Sequence, residues 1–85
     1  VRVAGDKPAA ELAALATTSL TDAVKVALAA VPGDGAKAAV EAELEVEHGF
    51  LVYEVEVVAP GRAGGWAVIV DAGTGKVLAV AAAGE

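Results

Sequence analysis

Two alternating blocks, arranged as mirror images about His48-Gly49, constrain this chain more than any other feature. Val40, Ala42, Leu44 and Val46 alternate with Glu41, Glu43, Glu45 and Glu47. That period belongs to a strand with one dry face and one wet face. The alternation resumes after the turn, through Leu51, Tyr53, Val55 and Val57. A two-residue loop with Gly49 in a left-handed conformation makes a hairpin, although His48 is a tolerated rather than a favoured first residue. The turn sets the pairing: Glu47 faces Phe50, Val46 meets Leu51, Leu44 meets Tyr53, Ala42 meets Val55 and Val40 meets Val57. All of these inner partners are apolar or aromatic. On the outer face Glu41 pairs with Glu56 and Glu43 with Glu54. A slip of one residue would bury the glutamates, so the register is strongly specified.

The flanking segments supply the rest of a fold. Ser19-Leu20-Thr21-Asp22 reads as a helix cap, with Asp in place of the usual Glu. Leu20, Ala23, Val24, Ala27, Leu28 and Val31 then form one apolar stripe at helical spacing, stopped by Pro32-Gly33 and the Asp34-Gly35 turn. A shorter helical stretch runs from an Asp6 cap, with Pro8 in its first turn, through the alanines and leucines to Ala16. One long helix from Pro8 to Val31 is the competing reading. Downstream, residues 59–65 read as a flexible connection. Trp66–Asp71 form a third strand, with Val68 and Val70 inward and Ala67 and Ile69 outward. Asp71 to Lys76 is a glycine-assisted turn, and Val77–Val80 form a fourth strand. The expected architecture is α+β: one N-terminal helix, or two, packed on one face of a four-stranded antiparallel meander sheet. The stripe from Leu20 to Val31 is the only adequate cover for the apolar face. The expected organisation is a partly helical extension over 1–18, a domain over 19–80 and a tail over 81–85.

Composition narrows the functional classes. Eighty-five residues and 8.3 kDa make one small domain, and a 56% hydrophobic content dominated by Ala and Val implies a core of small and β-branched side chains. Twelve acidic residues against six basic ones give a net charge of −6, which argues against nucleic acid and anionic membrane as partners and suits a cationic one. The absence of Cys excludes disulfides, thiolate metal sites and a Cys nucleophile. No apolar run is long enough to span a bilayer. The lack of Met leads to the expectation of a processed protein or an excised domain, from which a signal or anchor could have been removed.

Three segments together resemble the PepSY domain of metallopeptidase propeptides and bacterial envelope proteins. Ser19-Leu20-Thr21-Asp22-Ala23-Val24 is similar to that family's helix start. Leu51-Val52-Tyr53-Glu54-Val55-Glu56-Val57 is similar to its central strand. Val68-Ile69-Val70-Asp71-Ala72-Gly73-Thr74-Gly75-Lys76-Val77-Leu78 is similar to its last hairpin. The resemblance implies a non-catalytic, extracytoplasmic module, secreted or associated with the cell envelope, whose partner is a protein such as a secreted metallopeptidase. It carries over no inhibitory residue and no cofactor.

The candidate partner-binding residues are Glu41, Glu43, Glu45, Glu47, Phe50, Glu54 and Glu56. Facing carboxylates about 5 Å apart repel by about 0.8 kcal/mol in water, so a bare acidic face costs stability that a cation or basic partner would relieve. The plainer reading is a solvated face that keeps the sheet soluble. A calcium site is disfavoured, because side chains on a flat strand do not converge as those of a loop do. Phe50 is expected to be exposed, as a binding anchor or an isolated surface group. Trp66 invites the same two readings, its parity being ambiguous, or it caps a core edge. His48 at a hairpin tip lacks companion ligands. Ser19 caps a helix, and the segment Gly73-Thr74-Gly75-Lys76 has neither the first glycine, the following Ser/Thr nor the helix of a phosphate loop. No catalytic or metal-binding residue is assigned. Beside the interaction module stand two other classes, a cation- or pH-responsive sensor and a structural spacer.

Overall fold

The computed structural model describes residues 2–3, 5, 9–32, 36–60 and 64–82. The expected Asp6 cap, Pro8, the turn at 33–35, the middle of the 59–65 connection and residues 83–85 lie outside them. Two helices, α1 (Ala9–Leu15) and α2 (Leu20–Ala30), precede four strands: β1 (Ala38–Glu47), β2 (Phe50–Val58), β3 (Trp66–Asp71) and β4 (Val77–Ala82). The strands form one antiparallel sheet in the order β1-β2-β3-β4, and α2 lies against it. This is the α+β architecture read from the sequence, with two helices.

The single long helix fails at Thr17 and Thr18. Both backbone amides donate to the Ala72 carbonyl, at 2.9 and 2.8 Å, and the Thr17 hydroxyl donates to the Gly73 carbonyl at 2.6 Å. The Tyr53 hydroxyl donates to the Thr18 carbonyl at 2.8 Å. The link between the helices is therefore tied to the β3–β4 turn. The Ser19 hydroxyl then accepts from the Asp22 amide at 3.1 Å and starts α2. The helix stops where Pro32 forces Val31 into an extended conformation, and Lys37 donates to the Val31 carbonyl at 2.7 Å.

The core lies between α2 and the sheet. Ala23, Ala27 and Val31 meet Leu51, Tyr53, Val55, Val57, Val68 and Val70. The largest fully buried side chains all belong to the sheet, because the helix contributes alanines where they meet. Trp66 packs against this core. Val3 joins it as well, and its amide donates to the Gly49 carbonyl at 2.7 Å.

Three expectations need correction. Val40 does not face the core: it is 58% exposed, because the register shifts between Ala39 and Glu41, and Ala39 takes its place opposite Val57. Leu20, at the first turn of α2, is exposed at the edge of the sheet's cover, and α1 adds Leu12 to that cover. Val46 keeps its place opposite Leu51 but remains exposed near the hairpin end. Two further details were not resolved by periodicity. Ala81 and Ala82, read as the start of a tail, pair with Ala67 and Trp66 in β4. Gly65 is buried at φ +79°, and a Cβ there would stand 2.8 Å from the Val57 carbonyl oxygen, which explains the glycine before β3.

Candidate interaction surface

Among the described residues no helix covers the face of the sheet turned away from α2, and the residues of this open face follow from the strand pairings. Glu41, Glu56, Ala67 and Ala81 form one row. Glu43, Glu54, Ile69 and Ala79 form the next. Glu45, Val52 and Asp71 form a third, and Glu47 with Phe50 a fourth. The structure thus brings all seven residues singled out from the sequence onto one face. They do not cover it evenly. Carboxylates crowd the β1–β2 half, whereas apolar side chains occupy β3, β4 and the hairpin end.

On the acidic half, Glu41, Glu43, Glu54 and Glu56 line a small cleft of about 90 Å³ over Ala67. Oxygens of Glu43, Glu45 and Glu54 come within 4.8 Å of one another. One oxygen from each supplies three of the six to eight ligands that calcium takes. Glu45 bears most of the crowding. Its pKa is pushed up to about 7 from 4.5, first by partial burial and then by the charge of Glu54, with Glu47 adding to both hydrogen bonding and repulsion. Asp71 lies in the same row and behaves in the opposite way. The amides of Gly73 and Thr74 donate to its Oδ1 at 2.6 and 3.1 Å and hold its pKa below the usual value. A turn has free amides to offer, whereas strand amides are committed to the ladder.

The apolar half contains a shallow groove of about 360 Å³. Phe50, Val52, Ile69, Leu78 and Ala79 form its apolar lining, and Glu47, His48 and Asp71 its polar margin. Phe50 is 41% exposed and Leu78 is 55% exposed, while Val52 forms a closed floor. The Arg2 guanidinium lies over the Phe50 ring, 5.3 Å from its centroid. The left-handed pair His48 (φ 51°) and Gly49 (φ 82°) turns the chain beside this groove.

Sequence reasoning found the acids and Phe50 but missed Val52, Leu78 and Ala79 as parts of the surface, and left Ile69 merely outward. A signal was available: Val52 and Ile69 are apolar at positions where the outward parity calls for polar residues.

The sequence matches the family described as PepSY, "Peptidase propeptide and YPEB domain", over residues 18–81. This chain belongs to the PepSY family. No curated protein and no solved structure matches it. PepSY domains are generally non-catalytic modules of the propeptide or inhibitor kind, found in extracytoplasmic or secreted proteins. The PepSY match takes in both halves of the open face, while α1, Arg2 and Val3 precede it. Among the described residues of this PepSY domain, no helix is long and apolar enough to cross a membrane.

Proposed function

We propose that this PepSY domain is a non-catalytic, extracytoplasmic interaction module that binds a secreted metallopeptidase and restrains it through the open sheet face. The observation that carries this reading is the contrast between a closed inner face and an outer face holding six glutamates beside an exposed apolar strip. Like-charge pairs directly across two strands cost stability without helping the fold, and a basic partner would offset that cost. Two side chains that could otherwise offer a nucleophile or a base have structural duties: Ser19 caps α2 and Asp71 closes a turn. The test is direct. The purified domain is titrated into secreted metallopeptidases of the same organism, with activity and binding both followed. Saturable inhibition supports the proposal, and neither binding nor inhibition across that set removes it.

Glu45 favours a second reading, a module that responds to pH or cations, because its protonation changes near neutrality. A calcium or magnesium titration followed by backbone amide NMR tests it. Shifts confined to Glu43, Glu45 and Glu54 at micromolar ion would support this reading. Diffuse shifts at millimolar ion would reduce it to screening.

A further inference from the structure

We infer that the groove between Phe50, Val52, Ile69 and Leu78 is a docking site for a protein segment in which lysine or arginine side chains flank a large apolar residue. The inference rests on the reading of the open face as the partner-binding surface, and it names the chemistry of what binds there.

Two properties of the groove select this occupant. Its lining is apolar, with Val52 closed beneath the exposed Phe50 and Leu78, so it accepts an apolar side chain and buries the edges of both. Its surroundings are anionic on several sides. Glu47 and Asp71 border it directly. Glu45 and Glu54 stand beside it on β1 and β2, Glu45 opposite Val52 and Glu54 opposite Ile69. An apolar anchor alone would desolvate Glu45, Glu47 and Glu54 without bringing them a cation, and a purely basic segment would leave the apolar lining wet. A segment carrying both satisfies both halves. The chain supplies a small precedent of its own. The Arg2 guanidinium already rests on Phe50, so this end of the groove accepts a cation over its aromatic ring.

The occupant is a peptide rather than nucleic acid, since carboxylates around the groove repel phosphate. Its apolar residue acts as the anchor and its cations fix register and exclude acidic competitors.

The probe is the capped hexapeptide Lys-Lys-Leu-Phe-Lys-Lys, titrated into the whole domain and followed by backbone amide NMR. Two companions replace Leu-Phe by Ser-Ser or all four Lys by Glu. The expected result is saturable binding, with the largest shifts at Phe50, Val52, Ile69 and Leu78. The Ser-Ser peptide should bind at least tenfold more weakly, and the Glu peptide should cause no shifts. Leu78→Ser removes an exposed side chain and is expected to keep the fold, checked by circular dichroism, while weakening the first peptide about fivefold. Phe50→Ala gives an independent second variant with the same expectation. Glu47→Gln should weaken binding more than Glu11→Gln, which removes the same charge from α1. Equal binding of the Ser-Ser peptide, equal effects of the two Glu variants, shifts centred elsewhere, or no binding at millimolar peptide would each overturn the inference. The readout does not involve a peptidase. A domain that takes the peptide but inhibits nothing would lose the regulatory function and keep the site, and an inhibitor that ignores the peptide would do the reverse.

Discussion

Val55 and Val52 stand on the same strand, and both are almost completely shielded, at 0% and 2% exposure. Their shields differ in kind. Val55 faces the layer formed by α2 and belongs to the main core. Val52 faces outward, is not part of that core, and is screened by neighbours on an open surface, with Glu45 and Asp71 opposite it on either side. Low exposure therefore has two meanings in this molecule. On one face it reports a second layer of structure, and on the other it reports only the height of adjacent side chains. The first kind of burial cannot be escaped by rotating a side chain, whereas the second can.

The same substitution at both positions tests that difference most strongly. Val55→Asp buries a carboxylate beneath α2 with no partner, at a cost on the order of 4 kcal/mol or more, comparable to the net stability expected of so small a domain. The far-ultraviolet circular dichroism of Val55→Asp should show an unfolded chain at 25 °C. Val52→Asp lets the carboxylate turn toward water, at the expense of apolar contact and of repulsion from Glu45 and Asp71. Its expected cost is about 2 kcal/mol, with the fold retained. A urea denaturation series on the two proteins checks this, and equal damage would mean that the outer floor is as enclosed as the core.

Much of this contrast was legible in the residues. Alternation from Ala42 to Glu47, reflected about His48-Gly49, gave the register because a slip would bury glutamates. The Ser19 cap and the start of the following helix were legible because cap chemistry is local. Val40 was not, because a bulge between Ala39 and Glu41 leaves no mark on a periodic pattern and simply changes which residue turns inward. The attachment of Thr17 and Thr18 to Ala72 and Gly73 was also hidden, since it joins segments more than fifty residues apart through backbone amides that every sequence possesses and through hydroxyls that carry no mark of their distant acceptor. The acidic half of the open face could be read from charge alone. The apolar half depends on β2, β3 and β4 lying side by side, which no single strand reveals.

Within the open face the comparison continues between Glu45 and Asp71, which share a row but shift in opposite directions. For Asp71 the folded pKa is lowered, so its stabilising contribution is present above the usual 3.8 and is lost as pH falls through the folded value. Asp71→Asn keeps an acceptor for the turn amides but removes the charge. It should cost about 1 kcal/mol at pH 7, and the difference from the parent should shrink below about pH 4. For Glu45 the folded pKa is raised, so folding is penalised as pH climbs from 4.5 through about 7. The repelling groups are Glu47 on its own strand and Glu54 diagonally across on β2, with Glu43 also within the cluster and Asp71 beyond Val52. Glu45→Gln should stabilise the domain at pH 8 by on the order of 1 kcal/mol, after allowance for solvent screening, and should change little at pH 4. Urea midpoints measured across pH 2.5 to 8.5 would show both variants departing from the parent at high pH in opposite directions, the Glu45→Gln difference closing as pH falls from about 7 to 4.5 and the Asp71→Asn difference only below about pH 4. Parallel profiles would mean that the face as a whole, and not the local donors and neighbours, sets both carboxylates.

The smallest expected effect on stability is also the sharpest test of that local account. Glu43 lies directly opposite Glu54, and its carboxylate belongs to the same cluster as Glu45. Glu43→Lys converts a facing like-charge pair into an opposite one. The gain in stability should be only about 0.5 kcal/mol, because both side chains remain reachable by water, and it should fade in high salt. The effect on Glu45 should be easier to see. A lysine ammonium beside that carboxylate favours its charged form and partly neutralises Glu54, so the Glu45 pKa should move down from about 7 toward its ordinary value. Carboxyl-carbon NMR titration of Glu45 in the parent and in Glu43→Lys measures this directly. A downward shift with little change in urea midpoint would mean that mutual repulsion among the glutamates controls this half of the face. An unmoved Glu45 would assign its elevated pKa to partial burial alone, and would remove charge relief as a reason for a basic partner to bind there.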